Sequence, residues 1–283
     1  MSQSNLPIAR QPQIERISRV VADLERAEAF YRDGLGFRRV GHGPTEPALS
    51  CPPGQSVRMR LGSQEIELVR FAVPGQPYPC CSGSNDLWFQ HLAIAVSDMD
   101  AAYAVLSAQP AMRPISTTGP QTLPPRNGGV RAFKFRDLDG HPLELIWFPS
   151  GQGRPLWQRP GESPPFLGID HTALAVSNTG RSIRFYRRLG LRVAYRSRNF
   201  GPAQARLDGL PGARAGITGL RSPASSGPGI ELLGYRPPGR RIAVAPNDIA
   251  ADWISIRVPW SGGARMLRDP DGHRLLLVGS PSH

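Results

Sequence analysis

The chain contains almost no lysine. Of its 34 Lys and Arg residues only Lys134 is a lysine, and the arginines are spread along the whole length. No run of five or more basic residues occurs, so the net charge of +12 does not build the footprint of a nucleic-acid binder. What it leaves is a weak attraction for acidic small molecules. Abundant Ala, Gly and Pro beside the arginines fit a codon bias. Cysteine is scarce too. Cys51, Cys80 and Cys81 are odd in number with two adjacent, which excludes a disulfide framework, and no pair has metal-type spacing. No apolar run is long enough to span a membrane. Residues 1–13 are polar and lack the apolar centre of a signal peptide, so the expectation is a cytoplasmic protein.

What is present is repetition. Phe89-Gln-His-Leu-Ala-Ile-Ala-Val-Ser-Asp98 returns as Gly168-Ile-Asp-His-Thr-Ala-Leu-Ala-Val-Ser-Asn178. In each copy a His is followed by period-two alternation, the pattern of a half-buried strand. Small residues share the face of His91 and His171 and leave room for a ligand, while Leu92, Ile94 and Val96 point the other way, under a helix. Asp98 and Asn178 are good helix N-caps. A weaker copy runs from Ile14 to Asp23, with Arg16 in the His position.

Around these strands four related modules can be drawn. Module one, roughly residues 14–71, holds a helix over Leu24–Asp33 that ends at Gly34 and Gly36, then strands near 38–49, 56–61 and 64–69. Residues 72–87 read as a connector that carries Cys80 and Cys81. Module two has a helix over Met99–Ser107, a polar excursion, a strand with Val130, Ala132 and Lys134 on one face, and an Asp-Gly turn into Pro142–Trp147. Module three, residues 168–235, repeats the Phe-Tyr-Arg helix motif of residues 30–32 at 185–187. Module four is short, its helix missing or reduced, and its segment 262–278 echoes 128–146. The expected fold class is α+β, tandem βαβββ modules with the last truncated. The expected division is 14–148 (modules one and two) and 168–280 (modules three and four), joined by a Pro-rich linker over 149–167.

These residues resemble the vicinal oxygen chelate superfamily of glyoxalase I, the bleomycin and fosfomycin resistance proteins and the extradiol dioxygenases. The features that carry the resemblance are the two His-led strands, the Phe-Tyr-Arg then Leu-Gly pattern, and Asp137-Leu-Asp-Gly-His-Pro-Leu-Glu144 with its echo at Asp269. The resemblance implies paired modules forming cup-shaped sheets with helices outside, and a metal held by first- and last-strand side chains of both partners. The first-strand positions are then Arg16, His91, His171 and, by looser alignment, Asp252; the last-strand positions are Glu67, Glu144, Glu231 and Leu276. If one pairs with two and three with four, both cups are damaged. If two pairs with three, His91, Glu144, His171 and Glu231 make a full set and the other cup cannot hold a metal. The second arrangement is favoured as more economical.

Two imidazoles and two carboxylates suit Zn, Ni, Co, Mn or Fe, with Glu144 or Glu231 able to leave the ion and act as general base. The resemblance therefore implies a glyoxalase-like lyase or isomerase acting on a small molecule with vicinal oxygens. The alternative is a binding protein of the bleomycin-resistance type without turnover; an extradiol dioxygenase ranks lower. No nucleic acid or membrane partner is expected, and homodimerisation is left open. Arg16 and Glu67 are expected to form an ion pair, His141 and His273 to be turn residues, and His42 and His283 to lie in a loop and the tail. Phe30, Tyr31, Phe185 and Tyr186 are expected in the helix–sheet core. Arg126 and Asn127, in the loop before Gly128, could touch substrate, with a solvated loop the favoured reading.

Overall fold

The computed structural model describes residues 11–46, 52–223, 227–260 and 262–279. Cys51, His283 and residues 47–49 of the strand expected near 38–49 lie outside them. Module one is β1 (Gln13–Val20), α1 (Leu24–Leu35), β2 (Arg38–Pro44), β3 (Gly54–Leu61) and β4 (Gln64–Phe71). Module two is β5 (Gln90–Val96), α2 (Met99–Ser107), the two-residue β6 (Arg113–Pro114) and β7 (Gln121–Thr122), β8 (Arg131–Arg136) and β9 (Pro142–Trp147). Module three is β10 (Phe166–Ala175), α3 (Thr179–Arg188), β11 (Arg192–Phe200), a short α4 (Pro202–Asp208) with no counterpart in the sequence reading, β12 (Arg214–Arg221) and β13 (Gly229–Tyr235). Module four is β14 (Trp253–Val258), β15 (Arg265–Arg268) and β16 (Arg274–Gly279), with no helix among its described residues. His42, expected in a loop, lies on β2. No helix of the described residues is long and apolar enough to cross a membrane.

The helices begin where side-chain oxygens satisfy free backbone donors. Asp23 accepts from the Arg26 amide, Asp98 from Asp100 and Ala101, and Asn178 from Arg181. The first helix stops at Gly36, whose φ of 73° is open to glycine at little steric cost.

Two mixed sheets result. One has the order β15-β16-β14-β1-β4-β3-β2 and the other β11-β12-β13-β10-β5-β9-β8-β6. Module two thus shares a sheet with module three, through antiparallel β5 and β10, and module one with module four, through antiparallel β1 and β14. Each sheet draws one module from each half of the chain. The large face of β5 (Leu92, Ile94, Val96) packs with α1 and α2 in one core, where Phe30, Tyr31 and Leu35 meet Phe133 and Phe135. Leu174 and Val176 pack with Tyr186 and with Ile254 and Ile256 in a second. The helices therefore cover the face of each sheet opposite its cup.

The Asp-Gly-His turns do more than reverse the chain. Asp137 Oδ1 accepts the amides of Asp139 and His141, and its Oδ2 accepts the Tyr31 hydroxyl at 3.0 Å. Asp269 repeats this with the amides of Asp271, Gly272 and His273 and with the Tyr186 hydroxyl at 3.2 Å. The histidines are not simple turn residues. His141 is fully buried; its Nε2 donates to the Ile249 carbonyl at 3.0 Å and lies 3.3 Å from Asp252. His273 Nε2 donates to the Ala175 carbonyl at 2.9 Å. Each imidazole therefore ties one sheet to the other, because a buried polar ring must find partners wherever they are.

Candidate metal centre

Strand register fixes the site. In one cross-sheet row His91 on β5 stands opposite Ala173 on β10, which pairs with Glu231 on β13. In the next row His171 stands opposite Ala93, which pairs with Glu144 on β9, and Glu144 with Lys134 on β8. Residues level with one another across neighbouring strands point to the same face. The two alanines between the larger side chains leave the room into which these reach.

The four side chains proposed from sequence converge. The Nε2 atoms of His91 and His171 are 3.4 Å apart, and Glu144 Oε2 lies 3.2 Å from the first and 3.7 Å from the second. Glu231 Oε2 comes within 3.3 Å of His171 Nε2. His91, Glu144 and His171 each offer an atom within 4.8 Å of the others. Metal bonds of about 2.1 Å at tetrahedral or octahedral angles hold adjacent ligand atoms about 3.0–3.4 Å apart. The separations here fall in or near that range, so the donor set fits a borderline divalent ion in both chemistry and spacing.

Electrostatics separates the two imidazoles. Burial pushes His91 down to about 4 against the pull of Glu144. Burial acts the same way on His171, but Glu231 and Asp170 outweigh it and raise the group to about 9. Burial also opposes the charge of Glu144, and His91 outweighs it, so the carboxyl is lowered to about 2. His171 Nδ1 is bonded to Asp170 at 2.9 Å, which leaves Nε2 facing the cavity. His91 has no such guide: among the described residues its buried Nδ1 has no hydrogen-bond partner.

Several contributors were not visible in the sequence reading. Adjacent strand residues normally point to opposite faces, yet Asp170 reaches His171, because the β10 register slips between Ile169 and His171, a bulge that re-aims a side chain. Asp170 also accepts from Trp157 Nε1 at 2.6 Å and from Arg221 at 3.3 Å. Trp157, from the stretch read as linker, is buried against Ala93 and Ala95. The Tyr195 hydroxyl donates to Glu231. It reaches across Gly219, where an added Cβ would stand 2.2 Å from the tyrosine ring. Arg126 and Asn127, expected in a solvated loop, help line the cavity, which holds about 500 Å³. The Asn127 amide donates to Asn199 at 2.7 Å and Arg126 lies over the Phe200 ring, so the loop closes one wall.

The second cup is filled. Arg16 pairs with Glu67 at 3.3 Å, and Ser18 donates to the same oxygen at 2.8 Å. Register corrects the looser alignment. Arg16 stands opposite Ser255, as His91 stands opposite Ala173, so the position matching His171 is Trp253, not Asp252. Trp253 packs with Leu276, Val20, Val69 and Phe71. Asp252, one residue earlier, turns to His141 and Arg19.

The family model described as Glyoxalase/Bleomycin resistance protein/Dioxygenase superfamily matches residues 13–145 and 168–251. The chain belongs to this superfamily. No curated protein matches it in sequence comparison. Among solved structures, this superfamily member is similar to glyoxalase I from Zea mays, at a TM-score of 0.61 and 17% identity over 95% of this chain and 92% of that one. A point mutant of the same maize protein gives 0.63 over the same shares at 17% identity. A putative dioxygenase from Bacillus subtilis subsp. subtilis str. 168 gives 0.56 and 14%, over 95% and 85%. At these identities the likeness is one of fold. The superfamily hosts several chemistries on one scaffold, so the reaction must be argued from the site.

Proposed function

We propose that the chain is a divalent-metal-dependent enzyme of the glyoxalase type, moving a proton on a small molecule with adjacent oxygens in the cytoplasm. The observation that carries this reading is the spacing of three donor atoms, from His91, Glu144 and His171, at metal–ligand separations, with Glu231 beside His171. His91, Glu144, His171 and Glu231 would hold Zn, Ni, Co, Mn or Fe. A bound ion supplies Lewis acidity toward a substrate oxygen. The proton is the task of a carboxylate. Glu144 is 6% exposed and lies against both imidazoles, so it is poorly placed to swing. Glu231 is half-buried, and Tyr195 holds one of its oxygens, so Glu231 is the better base. Asp170 fixes the His171 ring, and Leu123, Ile146 and Leu233 give the cavity part of its apolar lining.

One observation favours a second reading. The compact trio of His91, His171 and Glu144 is by itself the two-imidazole, one-carboxylate set that suits ferrous iron in oxygenases, and Tyr195 draws Glu231 away from it. A third reading is a binding protein without turnover. Elemental analysis of wild type, His91→Ala and His171→Ala, with deuterium wash-in to dihydroxyacetone followed by NMR, separates the three. The glyoxalase-type reading expects one metal per chain, lost in both variants, and wash-in that Glu231→Gln abolishes while metal remains. Retention of the metal in either His variant would sink it. Iron with oxygen uptake and no wash-in would favour the second reading, and a metal-free protein that still binds ligands the third.

A further inference from the structure

Only one of the chain's 34 basic residues is lysine, and that residue is in the cavity. Lys134 is 3% exposed, faces the cavity from β8 and is the cross-strand neighbour of Glu144. Elsewhere the chain uses arginine for positive charge, whether exposed or buried. Lysine differs in being a compact point charge on a slim stem, where guanidinium is a broad planar fork. The Lys134 ammonium lies 2.7 Å from Asp208 Oδ1. The other oxygen of that carboxylate accepts the Gln204 amide N–H at 2.7 Å. One carboxylate at the end of α4 thus orients two cavity-lining polar groups from different modules.

Both groups have bonding capacity left. An ammonium has three N–H donors, and Asp208 is the one hydrogen-bond partner of Lys134 Nζ among the described residues. Paired with the Asp208 carboxylate, the Lys134 ammonium is a hydrogen-bond donor. With its N–H₂ turned to Asp208, Gln204 presents its Oε1 as acceptor. That atom is buried without a partner on a side chain that is 2% exposed. An unpartnered buried acceptor is destabilising, a cost that a ligand donor would remove.

We propose that Lys134 and Gln204 form a substrate subsite for a hydroxyl group, which accepts from the ammonium and donates to Gln204 Oε1. A carboxylate would satisfy the first contact and not the second. Resting on the metal-centred reading above, this assigns the substrate to small molecules carrying a further hydroxyl beyond the two oxygens that face the metal centre. Asp208 is a positioning residue.

The single lysine supplies its own probe. Protein labelled with ¹³Cε,¹⁵Nζ-lysine gives one side-chain ammonium resonance, which can be followed in zinc-loaded and metal-free protein. The two ligands are glycerate and lactate, which differ by the terminal hydroxyl. Glycerate is expected to shift the Lys134 resonance and to bind about tenfold more tightly than lactate. Gln204→Met and Lys134→Arg should each remove the preference for glycerate over lactate, and Gln204→Met should leave zinc content unchanged. A bare structural ion pair would leave the resonance unmoved by either acid. Equal affinity for the two acids in wild type, or a glycerate preference that survives Gln204→Met, overturns the subsite. Failure to load any of Zn, Ni, Co, Mn and Fe overturns only the metal-centred reading, and the glycerate shift is then decided on metal-free protein.

Discussion

The buried cluster around His141 predicts a loss of stability at alkaline pH that one substitution removes. His141 is fully buried, with Nδ1 3.0 Å from Asp137 and Nε2 3.3 Å from Asp252. The other charges near it are Arg19 from β1, 3.9 Å from Asp137 and 3.8 Å from Asp252, and the half-buried Asp139, whose carboxyl interacts with the imidazole. Tyr31 from α1 bonds Asp137, and the Tyr78 ring stands edge-on to the imidazole. Protonated His141 and Arg19 together offset the carboxylates of Asp137 and Asp252. Burial lowers the pKa of the group, yet Asp137 and Asp252 outweigh burial and raise it from 6.5 to about 10. Because the folded value lies above the unfolded one, the contribution is complete below pH 6.5. It shrinks as pH rises and is gone above pH 10. At about 1.4 kcal/mol per unit this amounts to about 5 kcal/mol, close to the 3–5 kcal/mol typical of breaking a buried ion pair. The assay is urea unfolding of wild type and His141→Gln at pH 6, 8 and 10. Groups common to both proteins cancel in the difference, which should be about 3–5 kcal/mol at pH 6 and near zero at pH 10. A difference that stays constant with pH would refute a charged His141.

The two cups can be perturbed separately. Trp253→Ala opens the filled cup and should cost about 3–5 kcal/mol in chemical unfolding, with the metal content of the other cup unchanged; a loss of metal would show that the sheets are not independent. Asp170→Asn removes the carboxylate that orients His171 and should weaken metal binding about 10–100-fold in a chelator competition; an unchanged affinity would mean that the bulge at Asp170 serves only to hold Trp157 and Arg221.

The sequence pattern made the modules legible because each is built from local signals. An alternating strand and an N-cap recur in modules one to three, a Phe-Tyr helix in one and three, and an Asp-Gly turn in two and four, and the structure forms each of them. The four convergent side chains were legible for the same reason: a His on a first strand and a Glu on a last strand stand at fixed places within a module. Counting complete sets was enough to favour modules two and three as partners, as the sheet order has it. Less local features were not legible. Asp252 was aligned where Trp253 belongs, and a one-residue slip on a strand turns a side chain to the other face. The Asp170 bulge has no sequence mark. The short helix α4 had one that was passed over, Pro202 after Gly201 and Gly209 at a φ of 57°, the N-terminal Pro and C-terminal Gly of a helix.

The contrast between the two cups sharpens what the site requires. Both sheets share one strand order and one pairing register, so backbone geometry alone does not make a ligand cage. Where the first cup has His91 and His171 flanking two alanines, the second has Arg16 and Trp253 flanking Ser18 and Ser255. The Arg16–Glu67 pair neutralises the one last-strand carboxylate left, and the Trp253 ring takes up space that the alanines leave open in the other sheet. Replacing a histidine by tryptophan removes a donor and fills volume at the same position. An empty cup would expose apolar strand faces to water, at about 25 cal/mol per Å². A cup without polar side chains to spare is therefore better closed by an apolar ring, and the sheet left open is the one whose cup keeps His91, Glu144, His171 and Glu231.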